Sequence, residues 1–137
     1  MTPSTLALVC VEFSRLSVGS SIGLPTTMGA VTISALGVPS SAEIRSAGTP
    51  PSIGIGVSKG GLTLQYKGTA KRIEIDFFAG SSAALDIKVM AKNGSTLDAR
   101  SFGKPGSYVY VSSSPAIKSV QAISNNEALI ERVCFGD

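Results

Sequence analysis

The sequence predicts an all-β fold, a two-sheet antiparallel β-sandwich that takes up residues 1–137 as one domain, and three observations carry that prediction. No window of a dozen residues holds a helical period of apolar side chains. Short segments instead alternate apolar and polar residues, as half-buried strands do. Gly, Pro, Ser and an Asn-Gly pair interrupt these segments at close intervals, and about ten short strands at such spacing suit two packed sheets.

Leu6–Phe13 is the first candidate strand, an apolar run with Glu12 near its end. Ala30–Leu36 is the second, with Val31, Ile33 and Ala35 on one parity. Val38–Ser52 follows as a long loop, marked by Pro39, Gly48, Pro50 and Pro51; Glu43-Ile-Arg within it is a scrap of strand or a short helical turn. Ser52–Val57 and Leu62–Lys67 come next, and Tyr66 shares the parity of Leu62 and Leu64, which places it in the core. Arg72–Phe78 and Leu85–Ala91 alternate most cleanly. Between Leu85–Ala91 and Thr96–Phe102, a three-residue loop over Lys92-Asn93-Gly94 pairs Val89 with Leu97 and Ile87 with Ala99, whereas a two-residue Asn-Gly turn pairs them with Asp98 and Arg100 and brings charge to the core face. The three-residue loop is therefore expected, with Gly94 left-handed. Asn93-Gly-Ser also fits the N-glycosylation sequon, but a tight turn is the simpler reading. Ser107–Ser112, Ile117–Ile123 and Ala128–Phe135 complete the set; in Ile117–Ile123 neither parity is cleanly apolar.

Cys10 and Cys134 stand near opposite ends of the chain, a spacing unsuited to a CxxC redox pair or a zinc knuckle. They are read as one disulfide joining the first strand to the last, worth about 4–5 kcal/mol by the chain-entropy argument; two buried thiols are the alternative. If the cysteines face each other across antiparallel strands, the same register sets Glu12 opposite Arg132 and predicts a cross-strand ion pair. Met1-Thr-Pro-Ser-Thr-Leu-Ala-Leu has neither the basic start of a signal peptide nor the length of a membrane span. No membrane association is expected, and if the disulfide forms, export implies a removed leader, a larger secreted parent or assembly, or a route the sequence does not show.

Composition narrows the chemistry. The chain has no His and no Trp, which removes imidazole-based catalysis and His-ligated metal sites. Its 12 basic and 9 acidic residues give a net charge of +3, favouring an anionic partner, yet the cations are scattered, so no nucleic-acid stripe is expected. Ser101-Phe-Gly-Lys104 fits an S-x-x-K pattern, but at a strand end with no helix to present the serine. Glu74 and Asp76 share one outward face, and the expectation there is a solvated face with cross-strand cations such as Lys88 or Lys67 rather than a glycosidase pair. No cofactor is required; a structural calcium on Glu12, Glu131 and Asp137 is the one metal site the residues suggest. Tyr108 and Tyr110 alternate with Val109 and Val111; if the valines are core, both phenols stand outside, spaced to stack on sugar rings, the alternative being that they cover a hydrophobic edge or join a neighbouring molecule.

Three runs carry a family resemblance: Lys71-Arg-Ile-Glu-Ile-Asp-Phe-Phe-Ala-Gly, Ala84-Leu-Asp-Ile-Lys-Val-Met-Ala-Lys-Asn-Gly-Ser-Thr-Leu, and Ala128-Leu-Ile-Glu-Arg-Val-Cys-Phe. Together they resemble the second half of bacterial jelly-roll β-sandwich modules of the carbohydrate-binding type. Val11-Glu-Phe resembles the short acidic opening strand of those modules, and Ile130-Glu-Arg-Val stands where they often have Ile-Asp-Asn-Val. The resemblance implies a jelly-roll-like, non-catalytic, extracellular or cell-surface module that brings an attached protein to a polysaccharide. Without Trp there is no wide aromatic platform, so binding is expected to rest on Tyr108, Tyr110, Lys67, Lys88 and Lys104, a set suited to an acidic, pectin-like uronate polymer. The rival reading is a self-associating surface, filament or shell subunit, favoured by a charged fraction of only 15%.

Overall fold

Alternation puts every second side chain of a strand on one face, and two such faces close on each other here with almost no polar atom between them. The computed structural model describes residues 8–37, 41–48, 51–80, 84–126 and 128–136. The first sheet contains β1 (Leu8–Glu12), β2 (Ser21–Gly23), β5 (Ser41–Ala47), β6 (Ser52–Val57), β8 (Arg72–Phe78), β11 (Gly106–Val111) and β13 (Ala128–Gly136). Its order is β11-β8-β13-β6-β5-β2, with β1 also paired to β13. The second sheet contains β3 (Thr26–Met28), β4 (Val31–Ala35), β7 (Leu62–Ala70), β9 (Leu85–Ala91), β10 (Thr96–Phe102) and β12 (Ile117–Ser124), in the order β10-β9-β12-β7-β4-β3. All strand pairings among the described residues are antiparallel. Ile73, Ile75 and Phe77 from the first sheet face Leu64, Ile87, Val89 and Val120 from the second, all buried. Tyr66 stacks on Phe135 at 5.0 Å between ring centroids, joining the sheets as a core residue.

The expected loop over Val38–Ser52 instead contains β5, because Ala42 and Ile44 alternate inward between exposed Glu43 and Arg45. Its prolines stand outside that strand, and Val38, Pro39 and Pro50 lie outside the described residues. β2 and β3 span three residues each, too few for alternation to declare itself. Leu6 and Ala7, the start expected for the first strand, also lie outside the described residues.

Bulges explain the two strands whose parity changes along their length. In β12 the register shifts between Ile117 and Ser119, so Ile117 and Val120 both point inward while the Lys118 ammonium donates to the carbonyls of Lys67 and Gly68, each at 3.2 Å. In β13 a shift between Ile130 and Arg132 turns both Ile130 and Val133 inward. There β13 also exchanges one neighbour for another: Ala128–Ile130 pair with β6, and Arg132–Gly136 pair with β1. The changeover is tight, since a Cβ on Gly54 would lie 2.4 Å from the Ile130 carbonyl oxygen. Phe13, in a single 3-10 turn (Phe13–Arg15) after β1, is fully buried against β6 and β13.

The ends are joined as expected. Cys10 and Cys134 form a disulfide and lie directly opposite in the β1/β13 register, with Glu12 opposite Arg132. The ion pair predicted from that register does not form, because each group has a nearer partner. Glu12 meets Arg15 at 2.9 Å, one 3-10 turn away, while Arg132 turns to the opposite neighbour strand and meets Asp76 at 2.9 Å.

The β9–β10 hairpin corrects a second expectation. Its turn is the three-residue loop: the Ala91 N–H donates to Ser95 at 2.8 Å, Gly94 has φ 89°, and the Asn93 side chain accepts from the Ser95 N–H and hydroxyl. A bulge between Thr96 and Asp98 then moves the register by one, pairing Val89 with Asp98 and Ile87 with Arg100 rather than with Leu97 and Ala99. Charge is tolerated there because β10 is an edge strand. Its inward side opens to solvent for Arg100, while Asp98 finds a donor in the facing sheet.

Candidate functional site

The outer faces of the two sheets differ in kind. On the first, β8 and β13 hold a self-neutralising network: Arg72 meets Glu74 at 2.7 Å, and Arg132 bridges Glu74 at 3.6 Å and Asp76 at 2.9 Å. The Ser107 hydroxyl adds a bond to Asp76 at 2.8 Å. Glu74 and Asp76 thus have cross-strand cations, but these are arginines of their own sheet. Lys67 and Lys88, named for that role from the sequence, belong to the other sheet.

Along one margin the sheets are tied by side chains. Tyr108 and Tyr110 point inward, not outward as expected: Tyr108 is 7% exposed and Tyr110 packs half-buried on the core, while Val109 and Val111 are 45% and 58% exposed. The run Tyr-Val-Tyr-Val is apolar on both parities, so alternation cannot choose between them, and the partner across the sandwich does. The Tyr108 hydroxyl donates to the Asp98 carboxylate of β10, and its ring packs against Phe102 at 5.8 Å. That hydrogen bond, followed by those from Arg100 and the Ala99 N–H, holds Asp98 below the usual carboxylate range against a smaller opposing effect of burial. Burial, and then Asp98, pushes the Tyr108 phenol up.

The outer face of the second sheet carries a different pattern. The pairings align Ala99, Lys88, Gln121, Thr63 and Ser34 in one row across β10, β9, β12, β7 and β4. A neighbouring row aligns Thr96, Met90, Ser119, Gln65 and Thr32. Successive members stand about 4.8 Å apart, the strand spacing. Hydroxyls and amides thus dominate these rows, though Ser119 is buried, and their one cation, Lys88, is exposed and forms no ion pair among the described residues. Beside Lys88, a cavity of about 320 Å³ is lined by Asp86, Ile87, Lys88, Ala99, Arg100 and Ser101. The Ser101 hydroxyl donates to Asp86 at 2.6 Å, so the serine of the S-x-x-K pattern is an ordinary cross-strand partner.

The five residues expected to bind ligand are not brought together. Lys88 lies on this face; Lys67 shares it but stands about 15 Å away, four residues along and two strands over. Lys104 is in the β10–β11 turn, and the tyrosines belong to the margin. Gln121, Thr63 and Ser101 join Lys88 only through the pairing of four strands, although the outward parity of Gln121 and Thr63 was a readable signal. For the suggested calcium, Glu12 is engaged by Arg15, Asp137 lies outside the described residues, and no group of three metal-ligating side chains gathers among the described residues. Nor is any helix among them long and apolar enough to cross a membrane.

No protein-family model matches the chain, and neither does any curated protein. Among solved structures it is similar to a family two carbohydrate esterase from Cellvibrio japonicus, with a TM-score of 0.53 and 9% identity over 96% of this chain and 34% of the esterase. The chain therefore spans about a third of that enzyme's length. It is also similar to a family 6 carbohydrate-binding module, with a TM-score of 0.44 and 11% identity over 93% of this chain and 92% of the module. A further similar structure is CsCBM6-3 from Clostridium stercorarium, solved in complex with cellobiose, with a TM-score of 0.43 and 12% identity over 93% and 92% of the two chains. The likeness to the esterase is one of fold alone, and the chain's own pairings make it a two-sheet antiparallel β-sandwich, as the family resemblance of its sequence implied.

Proposed function

We propose that the chain is a non-catalytic carbohydrate-binding module that holds an acidic polysaccharide, of the uronate class, on the outer face of its six-stranded sheet. The observation that carries this reading is Lys88, in no ion pair among the described residues, beside the cavity of about 320 Å³ and in a row that continues through Gln121, Thr63 and Ser34. A sugar hydroxyl is both donor and acceptor, and so are the hydroxyl and amide side chains of that row. A sugar carboxylate needs a cation, and Lys88 stands at the cavity on the outer face. The similar modules and the esterase are carbohydrate proteins by description, which agrees with the reading. On the opposite face Glu74 and Asp76 are held by arginines, an arrangement that suits structure rather than acid–base work. Such a module works outside the cell as part of a larger secreted protein, in keeping with its disulfide.

Titration calorimetry with polygalacturonate and with a neutral β-glucan tests this directly. Saturable heat with the acidic polymer, weakened about tenfold in Lys88→Ala and further in the Lys88→Ala, Gln121→Ala double variant, is expected. Absence of binding to both polymers, or binding that both variants leave unchanged, overturns the assignment.

A further inference from the structure

Open sheet edges expose unpaired backbone groups, and natural sandwiches blunt them with charge, bulges or short strands. Four of the edges here follow that rule. β2 and β3 span three residues each; β10 carries Asp98, Arg100 and a bulge; β1 is short and carries Glu12. β11 does not follow it. Gly-Ser-Tyr-Val-Tyr-Val has no charge and no proline, runs without a register shift along β8, and has no second pairing partner among the described residues.

The direction of its free groups can be worked out. The Ser112 N–H donates to the Lys71 carbonyl at 2.6 Å, so the pair 112/71 is of the hydrogen-bonded kind, and alternation makes Tyr110/Ile73 and Tyr108/Ile75 the same. The backbone N–H and C=O groups of Ser107, Val109 and Val111 therefore point away from β8, to the open edge. The side chains of Val109 and Val111 are exposed at the same place.

We propose that this edge is a self-association site, at which β11 pairs antiparallel with β11 of a second copy about a two-fold axis through Val109. In that register Val109 faces its own counterpart and Ser107 faces Val111, and each pair exchanges two backbone hydrogen bonds. On the inner side Tyr108 comes beside the second copy's Tyr110, extending the core at the margin. Charge agrees with a second copy as the occupant: β11 brings no charged residue to the pairing, and Lys104 comes opposite Ser114, so no like charges meet. The seven-stranded sheets of the two copies become one continuous sheet.

Sedimentation velocity over micromolar to hundred-micromolar concentration tests the pairing. The expected result is a species about twice the 14.0 kDa chain mass. Val109→Pro removes only an edge-facing N–H, and Val111→Lys places a charge at the edge; both are expected to sediment as monomers with unchanged circular dichroism. If Val109→Pro fails to fold, Val111→Lys alone carries the test. A wild-type monomer throughout the range, an open polymer rather than a closed dimer, or a folded variant that still dimerises would each overturn the proposal.

Discussion

The contact between Asp98 and Tyr108 is sensitive to pH, because the phenol's hydrogen bond lowers the carboxyl while burial first and then Asp98 raise the phenol. Asp98 titrates lower in the fold than its ordinary 3.8, so the stability it contributes is complete above that pH and is lost as pH falls through the folded value. Tyr108 titrates higher than its ordinary 10.0, so its contribution is complete below pH 10.0 and is lost as pH rises beyond it. Asp98→Asn is expected to lower stability by about 1–2 kcal/mol at neutral pH, and the deficit against wild type should shrink in urea melts between pH 4 and pH 2. A deficit that stays constant over that range would assign the loss to packing instead. Sequence alone identified Tyr108 as a residue of interest but placed it outside, since a strand apolar on both parities leaves its orientation to whatever carboxylate or ring stands opposite.

At the scale of elements, periodicity located nearly every long strand, with Arg72–Phe78, Leu85–Ala91 and Thr96–Phe102 matching at both ends. The β9–β10 hairpin marks where such reading stops. Its turn was legible because Asn93 and Gly94 have local conformational preferences, whereas the bulge that resets its register answers to Asp98 meeting Tyr108 from the other sheet. β1 illustrates the reverse, an element whose partner was legible from two cysteines. Among the described residues this five-residue strand is paired only to β13, and the disulfide closes a sequence separation of 124 residues. The Cys10→Ser, Cys134→Ser double variant is expected to lose about 2–5 kcal/mol, read as a lower midpoint in denaturant melts. A midpoint within error of wild type would mean that β13 and the buried Phe13 hold β1 without help.

The two outer faces of the molecule differ, one charged and internally neutralised, the other rich in hydroxyls and amides, with Lys88 in no ion pair among the described residues. That difference predicts a separation of effects. Arg132→Ala leaves Glu74 and Asp76 short of a cation and should cost about 1 kcal/mol of stability without changing polysaccharide affinity. Lys88→Ala should do the opposite, with an unchanged melt and weakened uptake. Loss of binding in Arg132→Ala at full folding would move the ligand to the first sheet.

The sequence by itself determined the fold class, most strands, the Cys10–Cys134 link and the Glu12/Arg132 register, all of which rest on local alternation, turn chemistry or simple pairing. Only the tertiary structure decided which way Tyr108 and Tyr110 point, which cation answers each carboxylate, and which side chains share a row with Lys88. The reason is physical: alternation fixes side chains relative to their own strand, whereas bulges, edges and the facing sheet decide what each of them meets.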